Sequence, residues 1–131
     1  KINQRLEKAF KNPYVQIISH PTGRLINKRD ASQGDLALLF KNAQQTATAL
    51  EINAQPERLD LKDIDARQAC EKYNIKLVIS TDSHDPASLN LMRLGVAQAR
   101  RAWLTSDDIL NTLNKDQLLQ VLGKKRERFV I

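Results

Sequence analysis

Cysteine is almost missing from this chain. Cys70 is the only one in 131 residues, which excludes an internal disulfide and fits a reducing, cytoplasmic setting. Its position in a helical pattern makes it a small apolar filler on an inner helix face. No apolar run approaches the roughly 20 residues that a membrane helix needs, so no membrane partner is expected. The chain opens KINQRLEKAF, which lacks the pattern of a secretory signal. It also lacks an initiator methionine, which reads as a fragment or a cut domain. Histidine is scarce as well, with His20 and His84 the only two. There is no internal repeat, low-complexity tract or interdomain linker, so residues 1–131 are expected to form a single domain.

What the chain does have is positive charge and a regular alternation of patterns. The net charge of +6, with a pI near 9.7, favours a polyanionic partner such as nucleic acid. An apolar content of 41% with 27% charged residues is ordinary for a globular protein with a real core.

Taken in order, Ile2 to Phe10 has helical spacing and is stopped by Asn12-Pro13. Val15–Ser19 reads as a strand, and Asp35 to Thr48 as a helix with Leu36, Leu39, Phe40, Ala43 and Ala47 on one stripe. Ala49 to Asn53 is a second strand. Asp60 with Asp63 resembles a helix-start box for a helix running to Tyr73, with Ile64, Ala69, Cys70 and Tyr73 facing inward. Leu77-Val78-Ile79 is a third, buried strand. Beyond Pro86, Leu89 to Trp103 is helical with Leu91, Leu94, Val96 and Ala97 facing the core. A short helix runs to Leu113. Asn114 and Gln117 then cap a last helix whose basic end (Lys124, Lys125, Arg126, Arg128) reads as a solvated terminus. The alternation means βα units on a parallel sheet, an α/β fold.

Right-handed crossovers bring all three strand ends to one side. His20 follows the first strand, Asn53 ends the second, and Asp82 and His84 follow the third, so one rim gathers them. Carboxylate oxygen and imidazole nitrogen at rigid strand ends suit zinc or manganese. The same Asp-Ser-His-Asp stretch also reads as a solvated turn with an Asp cap on the next helix. Arg24, four residues after His20, is placed to hold phosphate, whereas Lys28 and Arg29 read as a solvated loop. Glu51 is unusual in so short a strand. It is either an edge residue facing water or a group supporting the site.

ISHPTGRLI, LEINAQPERLDL, STDSH, MRLGVAQARRAWL and ILNTL, in this order, resemble the C-terminal portion of the PHP (polymerase and histidinol phosphatase) domain. The version most similar is the one attached to bacterial and archaeal family X DNA polymerases, and the likeness runs from about Asn12 to Arg126. The resemblance implies a distorted (β/α)7 barrel that holds up to three divalent ions, Mn2+ or Zn2+, and hydrolyses DNA phosphodiesters (3′-5′ exonuclease or end processing) in repair. By the same resemblance His20, Asp82 and His84 are metal ligands, and Asn53 and Arg58 are rim or supporting residues. It also implies DNA as partner and a polymerase domain N-terminal to this segment. The family's upstream ligands are missing from the chain, so the segment alone is expected to be inactive, with an open strand edge that a second copy could cover. Two alternatives stay open: a basic DNA-binding α/β unit without chemistry, and a small-molecule phosphatase of the histidinol-phosphate type.

Overall fold

A computed structural model describes residues 2–31 and 34–129. The elements run α1 (Ile2–Lys11), β1 (Ile17–Ile18), α2 (Leu36–Thr46), β2 (Ala49–Asn53), α3 (Asp63–Tyr73), β3 (Leu77–Ser80), α4 (Met92–Arg101) and α5 (Lys115–Phe129). Short 3-10 turns at Ala87–Leu91, Ser106–Asp108 and Leu110–Thr112 join the later helices. The strands form one parallel sheet in the order β1-β2-β3, so the expected α/β class is observed. No helix among the described residues is long and apolar enough to cross a membrane.

The alternation of β2 explains the layers. Leu50 and Ile52 pair with Leu77 and Ile79 of β3 and point to one face. That face packs into a core with Phe40, Ala43, Ala66, Ala69, Ala99 and Ala102 of the helices. Burying a Leu, Ile or Phe side chain contributes about 2 kcal/mol, so this face carries much of the fold's stability. The opposite face of β2 presents Glu51 and Asn53, with Ser80 of β3 beside Asn53. The apolar face anchors the sheet, and the other face carries the polar side chains.

Helix ends follow local rules. Asp35 caps α2 by accepting from the Ala37 and Leu38 amides. Asn114 and Gln117 form the reciprocal pair expected before α5. Cys70 is half-buried, its Sγ 3.3 Å from the Ile75 carbonyl oxygen, and burial pushes the thiol up to about 12.

Several expectations are corrected. β1 is shorter than Val15–Ser19: it covers Ile17–Ile18, and the Val15 carbonyl accepts from Lys125 Nζ. In α3 the buried positions are Asp65, Ala66 and Ala69, while Ile64 is exposed. In α4 they are Gly95, Gln98 and Ala99, while Val96 and Ala97 face water. Gly95 allows this rotation by bringing the helix close to Ile79 and Ala54.

Lys125 is the largest correction. It is fully buried at the start of the strands, not part of a solvated helix end. Its Nζ donates to the Val15 carbonyl and, at 2.8 Å, to Thr48 Oγ1, pinning α5 beneath β1 and β2. Both acceptors are neutral, and burial lowers the ammonium from 10.5 to about 8. Between those values the unfolded chain holds more protons than the folded one, so stability contributed by this group rises with pH across that window. Urea unfolding of the wild type and Lys125→Met at about pH 7 and about pH 10 checks this. Wild type should gain on the variant at the higher pH, and an unchanged gap would count against a buried, depressed lysine.

Candidate functional site

The loop after β1 is fixed by two carboxylates from β2 and the turn beyond it. His20 has a left-handed φ of 32°, and its amide donates to Glu51 Oε2 at 2.5 Å. Two residues on, Asp60 accepts from the Thr22 amide (3.1 Å), Thr22 Oγ1 (2.9 Å) and the Gly23 amide (2.8 Å). Asp60 is completely buried, and desolvation raises its pKa, opposed by the hydrogen bonds from Thr22 and Gly23. It is therefore no part of a helix-start box: Lys62 occupies the N-cap of α3 and makes no side-chain cap bond. Sequence proximity to Asp63 hid the role, because Asp60's partners lie 37 and 38 residues away.

Arg24 is committed to the same turn. Its Nε donates to the Arg58 carbonyl at 2.8 Å and its Nη2 to the Leu59 carbonyl at 2.6 Å. It braces the loop after β2, so those donors are not free for a phosphate. Arg29 similarly donates to the Gly23 carbonyl, and Lys28 lies 3.4 Å from Glu57.

The loop after β3 is held from β2 as well. Asp82 has a left-handed φ of 50°. Gln55 Nε2 donates to the Thr81 carbonyl at 2.7 Å and to the Asp82 carbonyl at 3.2 Å. Asn53 Nδ2 reaches Asp82 Oδ2 at 3.3 Å, and Arg58 Nε lies 3.9 Å from the same oxygen. His84 Nδ1 is 2.8 Å from the Asp82 carbonyl oxygen, an acceptor only, so Nδ1 is the donor in this contact. Asp85 caps the following turn through Ser88, which is the solvated-turn role.

Glu51 is not an edge residue facing water. It is buried in the central strand and accepts from His20, from Asn53 Nδ2 at 3.3 Å and from Ser80 Oγ. The alternation that puts Glu51, Asn53 and Ser80 on one face was the signal for it. Gln55 and Asp60 carried no comparable local signal.

The donor types suit a metal ion, and the supports do too. A ring nitrogen tied to a carbonyl and a carboxylate steadied by an amide are how ligating groups are oriented. The set is incomplete: among the described residues no three His, Cys, Asp or Glu side chains gather to hold an ion. Of the expected donors, Asp82 and His84 share a cavity, and His20 does not line it. Beside Asp82 and His84 a cavity of about 330 Å³ is lined also by Gln55, Arg58, Asp85 and Ser88. Arg58 Nη1 is buried without a hydrogen-bond partner.

No family model matches the chain. Over 110 residues, 84% of its length, it is 44% identical to the DNA polymerase/3'-5' exonuclease PolX of Bacillus subtilis (strain 168). The match spans 19% of that protein, so the chain corresponds to a minor part of it. The expected resemblance is thereby shown: the chain is similar to a part of a family X DNA polymerase.

Proposed function

We propose that the chain is part of a metal-dependent phosphoesterase domain of a longer family X DNA polymerase, hydrolysing DNA phosphodiesters from the 3′ end during repair. It forms the C-terminal portion of a distorted (β/α)7 barrel, its partner is DNA, and its compartment is the cytoplasm. The observation that carries this is the identity to a polymerase/exonuclease across segments that bring His20, Asp82 and His84 to the ends of parallel strands.

His20, Asp82 and His84 are the donors for manganese or zinc. A bound ion supplies Lewis acidity at a phosphoryl oxygen. The chain's own residues orient and bind. Asn53 and Gln55 fix the Asp82 carboxylate and backbone, and the Asp82 carbonyl holds the His84 ring through Nδ1. Arg58 lines the cavity, and its guanidinium offers charge to a phosphate oxygen. The remaining ligands come from outside this segment.

Calorimetric titration with Mn2+ and with Zn2+ tests the reading, on the chain and on Asp82→Ala/His84→Ala. Near-stoichiometric uptake, weakened at least about 100-fold in the double variant, is expected. Uptake unaffected by the double variant would sink it. The lack of a complete three-group cluster favours a second reading, a basic DNA-binding unit without chemistry. That reading predicts no metal uptake and DNA binding that weakens steeply with salt and ignores chelators.

A further inference from the structure

We infer that Glu51 is the positioning residue that ties the loop bearing His20 to the loop bearing Asp82 and His84. The inference rests on the proposed metal site and adds a part to it.

A carboxylate in the middle of a buried strand is unfavourable unless its oxygens are satisfied. Glu51 is satisfied by donors from all three strand ends. Oε2 accepts the His20 amide at 2.5 Å and Asn53 Nδ2 at 3.3 Å, and Oε1 accepts Ser80 Oγ. Asn53 passes the connection on to Asp82 Oδ2 at 3.3 Å. Ser80 lies two residues before Asp82 in the chain. One side chain thus spans β1, β2 and β3 at the level of the rim. Removing it leaves the His20 amide, held at a left-handed φ of 32°, without its anchor.

Those contacts need an acceptor for several donors at once. A neutral amide has a single acceptor oxygen, while its NH2 group can still face the Ser80 hydroxyl, which accepts as readily as it donates. Glu51→Gln therefore keeps the shape and the strand, but loses the charge-assisted bonds that align the two loops. Ser80→Ala removes one contact and leaves the other two.

The test has two arms. In the metal-free chain, amide resonances are compared between wild type and Glu51→Gln. The inference expects His20 and the Asp82–His84 segment to shift together, and shifts confined to the His20 loop would overturn it. In the second arm Zn2+ alone is titrated into the wild type, Glu51→Gln and Ser80→Ala by calorimetry. Affinity is expected to fall about 10- to 100-fold in Glu51→Gln and less in Ser80→Ala. A lower melting temperature with unchanged zinc affinity would make Glu51 merely structural and overturn the inference. If Glu51→Gln does not fold, Ser80→Ala carries both arms, and unmoved Asp82–His84 resonances with unchanged affinity overturn it. A wild-type chain that takes no zinc while both loops still shift together defeats the metal reading and leaves the coupling standing.

Discussion

Asp60→Ala is expected to destabilise the chain by on the order of 4 kcal/mol, enough to lower its melting temperature by roughly 15 °C. Asp60 is fully buried and accepts from the Thr22 amide, the Thr22 hydroxyl and the Gly23 amide. Alanine removes the acceptor and leaves two backbone N–H groups without partners. Each orphaned buried donor costs about 1–3 kcal/mol, and the hydroxyl can rotate away. Asp60→Asn keeps one acceptor oxygen and should lose about half as much. Urea unfolding followed by circular dichroism measures both. A loss below about 1 kcal/mol for the alanine variant would mean that the His20–Gly23 turn finds other acceptors or is not buried in solution.

Gly95→Ala should also destabilise, by about 2–3 kcal/mol, although alanine is the better helix former. In an exposed helix the exchange gains about 1 kcal/mol. Here a Cβ at position 95 would run into Ile79 Cγ2, well inside contact, and would meet Ala54 Cβ at 3.1 Å. Neither is the free end of a flexible chain, so α4 must lift from the sheet. Ile79→Ala removes the clashing methyl group at the cost of a cavity. A double-mutant cycle should therefore show Gly95→Ala far milder in the Ile79→Ala background. Additive losses would show that the clash lies elsewhere. Ile79 immediately precedes Ser80 and Ala54 follows Asn53, so displacement of α4 should also be felt at the rim.

The order of helices and strands could be read from periodicity, and so could the parallel arrangement of the strands. Both depend on local spacing. The expected donors His20, Asp82 and His84 stand where strands end, which the pattern reveals. The supports are different. Asp60 sits three residues from Asp63 and looks like a cap, but serves a turn 37 and 38 residues upstream. Lys125 lies in a run of basic residues and looks solvated, but its Nζ meets Thr48, 77 residues away. Arg24 looked free for phosphate and instead holds two carbonyls. Hydrophobic period assigns a face to a residue, not a partner. Polar groups whose partners are distant in sequence are therefore where reading by pattern fails. Glu51 fell between these cases, since its oddity in a strand was visible but its donors were not.

The left-handed backbone at His20 and Asp82 sets stability against side-chain identity at two single positions. Their φ values of 32° and 50° belong to a region that glycine occupies without penalty and other residues enter at a cost of about 1 kcal/mol or more. Selection for thermal resistance alone would then drift toward glycine at both sites, or toward asparagine at position 82, and would discard an imidazole and a carboxylate in the process. On the proposed reading, histidine and aspartate at these positions retain a local strain for the sake of the donor atoms they carry.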